Sequence, residues 1–167
     1  LFVADGKNHE VVDRFEQDLW EHNGSAENIT DISCDMSPAF IKGVRENFPN
    51  AEITFDKFHI IKLINEAVDK VRKMEVKNDP LRKGAKYLFL KNESNLTSRQ
   101  IEQLSKIKLS GSHLKSLRAL QIRESFQDIY HAPTEASFVP LLKQWYFWAT
   151  HSRLGPIKKA AYTIKRH

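Results

Sequence analysis

Two short runs decide the fold: Ile29-Thr-Asp-Ile-Ser-Cys-Asp35-Met36 and Ala51-Glu-Ile-Thr-Phe-Asp56-Lys-Phe-His59. In the first, Ile29, Asp31, Ser33 and Asp35 fall on one side and Thr30, Ile32 and Cys34 on the other, the period-two alternation of a half-buried strand. Ser37-Pro38 stops it, because Ser37 suits an N-cap and Pro38 suits the first helical position. Phe40, Ile41, Val44 and Phe48 then recur at helical spacing up to Pro49-Asn50, and Ile53-Thr54-Phe55 reads as a second short strand. The result is a strand-helix-strand crossover, with parallel strands and one acid at each carboxyl end. In open sheets of this kind, ligand chemistry gathers beyond those ends, where Asp35 and Asp56 stand.

Upstream, Leu1-Phe-Val-Ala4 reads as the tail of another strand and Asp5-Gly6-Lys7 as its turn. Asn8 is positioned to cap a helix whose apolar stripe is Val11, Val12, Phe15, Leu19 and Trp20, closed by Asn23-Gly24-Ser25. Downstream the pattern changes to helices alone. Ile60 to Met74 form a long one. Asp79-Pro80 opens the next, and Thr97-x-x-Gln100 is a capping-box signature for a third. Gly111-Ser112, Pro133-Thr134 and Gly155-Pro156 open three more, the last running to His167. These patterns predict an α/β class with residues 1–76 as the α/β part and 77–167 as an all-α helical block.

The 167 residues are 41% hydrophobic, enough for a core. No apolar run approaches the roughly 20 residues of a membrane span, so no membrane partner is predicted. Cys34 is the only cysteine, which excludes an internal disulfide or a cysteine-based zinc site and suits a cytoplasmic setting. His9, His22, His113, His131 and His151 show no short metal-ligand spacing. The start at Leu1 without Met suggests an excised piece. Charge is segregated: residues 1–56 carry 4 Lys/Arg against 12 Asp/Glu, whereas residues 57–118 carry 15 against 6. An acidic part can gather cations while a basic part lies along phosphates; the alternative is simply solvated helix faces.

Asp35-Met36-Ser37, Phe48-Pro49-Asn50-Ala51, Phe55-Asp56-Lys57-Phe58-His59 and Asn65-Glu-Ala-Val-Asp69-Lys-Val-Arg72 resemble the transposases of the ISL-three family of bacterial insertion sequences. The resemblance continues through Trp145. It implies a partial RNase H-like core followed by inserted or C-terminal helices. It also implies an Asp-Asp-Glu site for Mg2+ or Mn2+, with its second acid on Asp35 and the other two acids outside this stretch, so that little metal is held here alone. DNA is the implied partner, with self-association in a transposition complex. The implied activity is metal-dependent DNA strand cleavage and joining.

Each candidate residue has a structural reading beside the chemical one. Asp35 is either a catalytic metal ligand or an acid at the positive end of the next helix. Asp56 is either an N-cap or, with His59, an auxiliary pair beside the metal site. Lys57, Lys62, Lys70, Arg72, Lys73, Arg82, Lys83 and Lys86 form the densest basic region and are candidates for phosphate contacts that position DNA without reading its sequence. In Trp145-Tyr-Phe-Trp148, the two tryptophans are assigned to the core, leaving Tyr146 or Phe147 for a partner. The competing function is a non-catalytic helical DNA- or protein-binding module with the crossover as scaffold.

Overall fold

The computed structural model describes residues 1–77, 85–110 and 114–166. It is mixed α/β, mostly helical, and divides into two compact units, Leu1–Ile60 and Ile61–Arg166.

The first unit contains α1 (Glu10–Glu21), a 3-10 turn (Ala26–Asn28), β1 (Asp31–Cys34), α2 (Pro38–Asn47) and β2 (Glu52–Phe55). The strands pair in parallel with Asp31 opposite Glu52, Ile32 opposite Ile53, Ser33 opposite Thr54 and Cys34 opposite Phe55. Backbone bonds extend the ladder at both ends, from Glu52 N to the Thr30 carbonyl (2.8 Å) and from Asp56 N to the Cys34 carbonyl (2.9 Å). One face of this sheet, Asp31, Ser33, Glu52 and Thr54, is exposed. From the other, Ile32 and Ile53 pack on a core of Val12, Val44 and Phe48, joined by Phe15, Leu19 and Phe40. The alternation read from the sequence is thus the in/out alternation of the sheet.

Gly43 sets how closely α1 and α2 approach. A Cβ there would stand 2.8 Å from the Cβ of Val12 and 3.1 Å from the His9 carbonyl oxygen. The end of α1 is a Schellman closure: Asn23 adopts φ 63°, its N–H donates to the Trp20 carbonyl at 3.0 Å, and Gly24 N–H donates to the Leu19 carbonyl at 2.8 Å. Here Asn takes the left-handed position. Gly24 is needed for space, since a Cβ would fall 2.4 Å from a Leu19 methyl.

Two expectations for this unit need correction. Leu1–Ala4 is not a strand: Leu1 and Val3 are exposed, Phe2 packs on Phe15 with ring centroids 5.6 Å apart, and Arg14 donates to the Asp5 carbonyl at 2.5 Å. Contacts with α1, not strand pairing, hold the segment. Asn8 does not cap α1 through its side-chain oxygen either; its amide donates to the Glu10 carboxylate at 2.8 Å.

The second unit holds most of α3 (Lys57–Val76), then α4 (Lys86–Leu90), a 3-10 turn (Glu93–Asn95), α5 (Ser98–Ser110), α6 (Leu114–Ile129), α7 (Glu135–His151) and α8 (Gly155–Arg166). No strand occurs among its described residues. The Asp79-Pro80 cap and the Gly111-Ser112 start lie outside the described residues. Thr97 forms the expected capping box, with the Gln100 carboxamide oxygen accepting from Thr97 N (3.0 Å) and Thr97 Oγ1 from Gln100 N (3.3 Å). Thr134 and Ser137 make the equivalent box for α7.

Long-range contacts complete this unit. The carboxylate of Glu75, near the end of α3, accepts from Lys115 N (3.1 Å) and from Ser116 N (3.0 Å) and Oγ (2.5 Å), capping α6 from forty residues away. The core includes Ile64, Val68, Leu120, Ile122, Phe126, Ala149 and Ile157. Trp145 is buried with its indole N–H on the Ile122 carbonyl at 2.8 Å, as assigned, but Trp148 is 38% exposed. Trp145 and Ala149, four apart, face inward, and Trp148 lies to the side of that stripe. Arg123 is fully buried, with one nitrogen on the Lys91 carbonyl at 2.8 Å.

Candidate active site

Asp35 and Asp56 follow directly on Cys34 and Phe55, which are partners in the parallel register, so the two acids occupy neighbouring strand ends. Both begin helices. Asp35 Oδ1 accepts from Ser37 N at 2.8 Å, a local turn that orients the carboxylate and leads into α2. Ser37 occupies the N-cap position, but its hydroxyl makes no capping bond, and its carbonyl accepts from Ile41 N at 3.0 Å. The capping expected of Ser37 therefore falls partly to Asp35. Only one of the Asp35 oxygens is used in this way; the other makes no hydrogen bond or ion pair to a described residue.

Asp56 is more fully engaged. Phe58 N donates to Oδ1 at 2.8 Å, the bond of an N-cap residue to the second helical residue. His59 Nδ1 lies 3.0 Å from Oδ2. These two bonds, Phe58 first, hold the Asp56 carboxyl below the usual aspartate range. The structure thus brings Asp56 and His59 together and gives Asp56 its capping geometry. The His59 ring also meets Phe58 edge-on, with centroids 5.7 Å apart.

A magnesium or manganese ion takes about six oxygen ligands in near-octahedral geometry. Asp35 offers one carboxylate oxygen on a fixed strand end, a donor of the right chemistry. Among the described residues, no group of three or more His, Cys, Asp or Glu side chains is placed to hold a metal ion. The site therefore fits a divalent ion at the level of a single ligand.

The basic candidates separate into two kinds. Lys62, Lys70 and Lys86 are exposed, as is Lys57 at the start of α3. Arg72 is 9% exposed and turned onto Asp69, with Nε and Nη2 at 2.9 and 2.8 Å, and Lys73 Nζ lies 2.8 Å from the same carboxylate. Burial raises the Asp69 pKa, but the Lys73 and Arg72 partners outweigh it and hold the carboxyl below its ordinary value. Arg82 and Lys83 lie outside the described residues. The cations of α7 and α8, among them the adjacent pairs Lys158-Lys159 and Lys165-Arg166, are not among the sequence-based candidates, because the denser basic run from Lys57 to Lys86 outweighs them.

Among the described residues, no helix is long and apolar enough to cross a membrane. No solved structure matches the chain. A curated relative, the transposase for insertion sequence element IS1001 of Bordetella parapertussis, is 25% identical over 173 residues, spanning 99% of this chain and 42% of that protein. The transposase for insertion sequence element IS1557 of Mycobacterium tuberculosis is 28% identical over 171 residues, spanning 85% of this chain and 38% of its own length. The chain thus spans about two fifths of the length of these relatives. A family model described as a transposase, of the ISL-three type, matches residues 1–167. On that full-length match, the chain belongs to the ISL-three family of transposases.

Proposed function

We propose that this chain is part of the catalytic core of a DDE transposase that cuts and joins DNA strands, with Asp35 as one ligand of its divalent metal site. The observation that carries the reading is the parallel pairing of β1 and β2, which sets Asp35 beside Asp56 at the carboxyl end of the sheet in a chain of this family. The crossover is the part of an RNase H-like core that this chain supplies, and the remaining acids come from elsewhere in a longer transposase. A bound Mg2+ or Mn2+ supplies Lewis-acid stabilisation of phosphoryl oxygens and an activated oxygen nucleophile.

The chain's own residues prepare that chemistry. The Ser37 N–H fixes Asp35 so that its second oxygen is available without a rotamer search. Asp56 anchors the start of α3 and holds His59 at the same strand end. Lys57, Lys62, Lys70 and Lys86 contact DNA phosphates, as Arg82 and Lys83 do by their place in the sequence. Arg72 and Lys73 act less directly, through their pairing with Asp69. The active protein assembles with further copies on DNA.

The test is strand cleavage by a longer transposase carrying this segment, assayed with Mg2+ and with Asp35 replaced. Loss of metal-dependent cleavage supports the reading. Unchanged cleavage removes Asp35 from the site and leaves the chain a helical binding module.

A further inference from the structure

The α7–α8 hairpin combines two features that the active-site reading does not use. Residues 135–166 contain six Lys/Arg (Lys143, Arg153, Lys158, Lys159, Lys165 and Arg166) against one acid, Glu135. None of the six makes an ion pair with a described residue, whereas Lys73 and Lys106, elsewhere in the unit, are each paired at 2.7–2.8 Å. Unpaired cations on one hairpin are an electrostatic footprint for phosphates. The same hairpin also exposes aromatic rings: Phe147 is 63% exposed, Trp148 38% and Tyr162 50%.

Helical geometry groups several of these side chains along α7. Residues 143, 147 and 151 lie one above another, with 144 and 148 beside them. Phe147 is already stacked on His151, ring centroids 4.0 Å apart and planes 27° from parallel. Beside this stack, α6 and α7 enclose a groove of about 470 Å3, lined by Ile129, Leu141, Phe147 and Trp148 and edged by the polar groups of Gln144 and Asp128. On the other flank, Tyr146 meets Tyr162 of α8 at 6.3 Å and carries Lys165 over its ring at 5.0 Å.

From this we infer that the α7–α8 hairpin binds single-stranded DNA, with an unpaired base seated in the α6–α7 groove against Trp148 and the Phe147–His151 stack, and neighbouring phosphates on Lys143, Lys158 and Lys165, the last two sharing a face of α8 with Tyr162. A base has the flat apolar faces the groove accepts and polar edges for Gln144 and Asp128. The unpaired cations distinguish this occupant from a second protein, because protein interface cores are depleted in lysine. The inference names the form of DNA for the function proposed above and rests on that reading for its biological setting, though the binding itself can be measured without it.

The experiment titrates the chain with a fluorescently labelled mixed-sequence single strand and with the duplex of the same sequence. Replacing Phe147 and Trp148 together with Ala should weaken single-strand binding by about 5- to 100-fold and leave duplex binding within about 2-fold, since phosphate contacts persist. Both side chains are more than a third exposed, so the fold is spared. Trp148→Phe should recover most of the loss. Lys143→Glu with Lys158→Glu and Lys165→Glu should weaken binding of both forms of DNA. Equal losses for both forms in the aromatic variant, or no loss in either, would overturn the inference. So would a chain that self-associates by sedimentation and loses that property, not DNA binding, in the aromatic variant; the groove would then belong to a protein contact. Failure here leaves cleavage dependent on Asp35, whereas failure of the active-site reading leaves this binding intact, so the two are distinguishable.

Discussion

Gly43→Ala should destabilise the first unit, although the same exchange in an exposed helix would stabilise it. In the interior of an isolated helix, Ala is favoured over Gly by about 0.5–1 kcal/mol. Here the new methyl would stand 2.8 Å from Val12 Cβ and 2.9 Å from its Cγ2, against the roughly 3.5–4.0 Å at which carbon atoms are best separated. Both neighbours belong to a β-branched residue buried in the core cluster, so α1 and α2 must move apart. Overpacking of this kind costs about 1–3 kcal/mol. Set against the propensity gain, the central expectation is a net loss of about 1 kcal/mol. Gly155→Ala is the control: no atom lies within 4 Å of a Cβ there, and the residue opens α8 without a positive φ. That variant should be neutral or gain up to about 1 kcal/mol. Amide hydrogen exchange in urea reads the two units separately, with α1, α2 and the strands reporting on Gly43 and α6 to α8 on Gly155. A Gly43→Ala protein as stable as the parent would refute the close-approach argument. It would also remove the reason for thinking that α2 holds Asp35 and Asp56 in fixed register, since α2 is their connection.

Three further outcomes follow from the geometry. Glu75→Ala should lower the stability of the helical unit by about 1–3 kcal/mol, because it strands the Lys115 and Ser116 N–H groups, and protection should fall first at the start of α6. Asp56 is held below the usual aspartate range, so its contribution is present at neutral pH and lost as pH falls through its folded-state value; the stability gap between parent and Asp56→Ala should shrink to nothing in acid denaturation below that range. Duplex DNA binding should weaken with salt, each neutralised phosphate adding about −0.9 to the log-log slope, and Lys62→Glu with Lys70→Glu should flatten that slope for all sequences alike, whereas a salt-insensitive affinity would contradict the phosphate assignment.

What could be read in advance was what local chemistry writes locally. The alternation from Ile29 to Asp35, the Pro38 start of α2 and the Thr97 box each involve residues within a few positions, and each stands where the pattern puts it. The misreadings share the opposite property. Leu1–Ala4 has the composition of a strand but packs on α1, and a strand needs a partner that composition cannot name. Trp148 belongs to an aromatic run whose inward direction is fixed only by where α6 lies. Gly43 looks like a weak point in a helix until Val12 is placed against it. Glu75 caps a helix forty residues away, a bond no short pattern encodes. At the candidate site, both acids and His59 were visible as residues at strand ends. Their difference was not: Asp56 spends both oxygens on its own helix, and Asp35 keeps one open.

That open oxygen is the point on which the functional account turns. Asp35→Asn retains the Oδ1 that accepts from Ser37 N, changes volume little, and should leave stability within about 0.5 kcal/mol of the parent, because Asn and Asp serve equally in such turns. It removes the charge a divalent cation needs. In a longer transposase containing this segment, the decisive measurement is therefore Mg2+-dependent strand cleavage by Asp35→Asn, with DNA affinity and unfolding measured on the same preparation. Undetectable cleavage with binding and stability unchanged is the expected result; cleavage at the parental rate would remove Asp35 from the metal site.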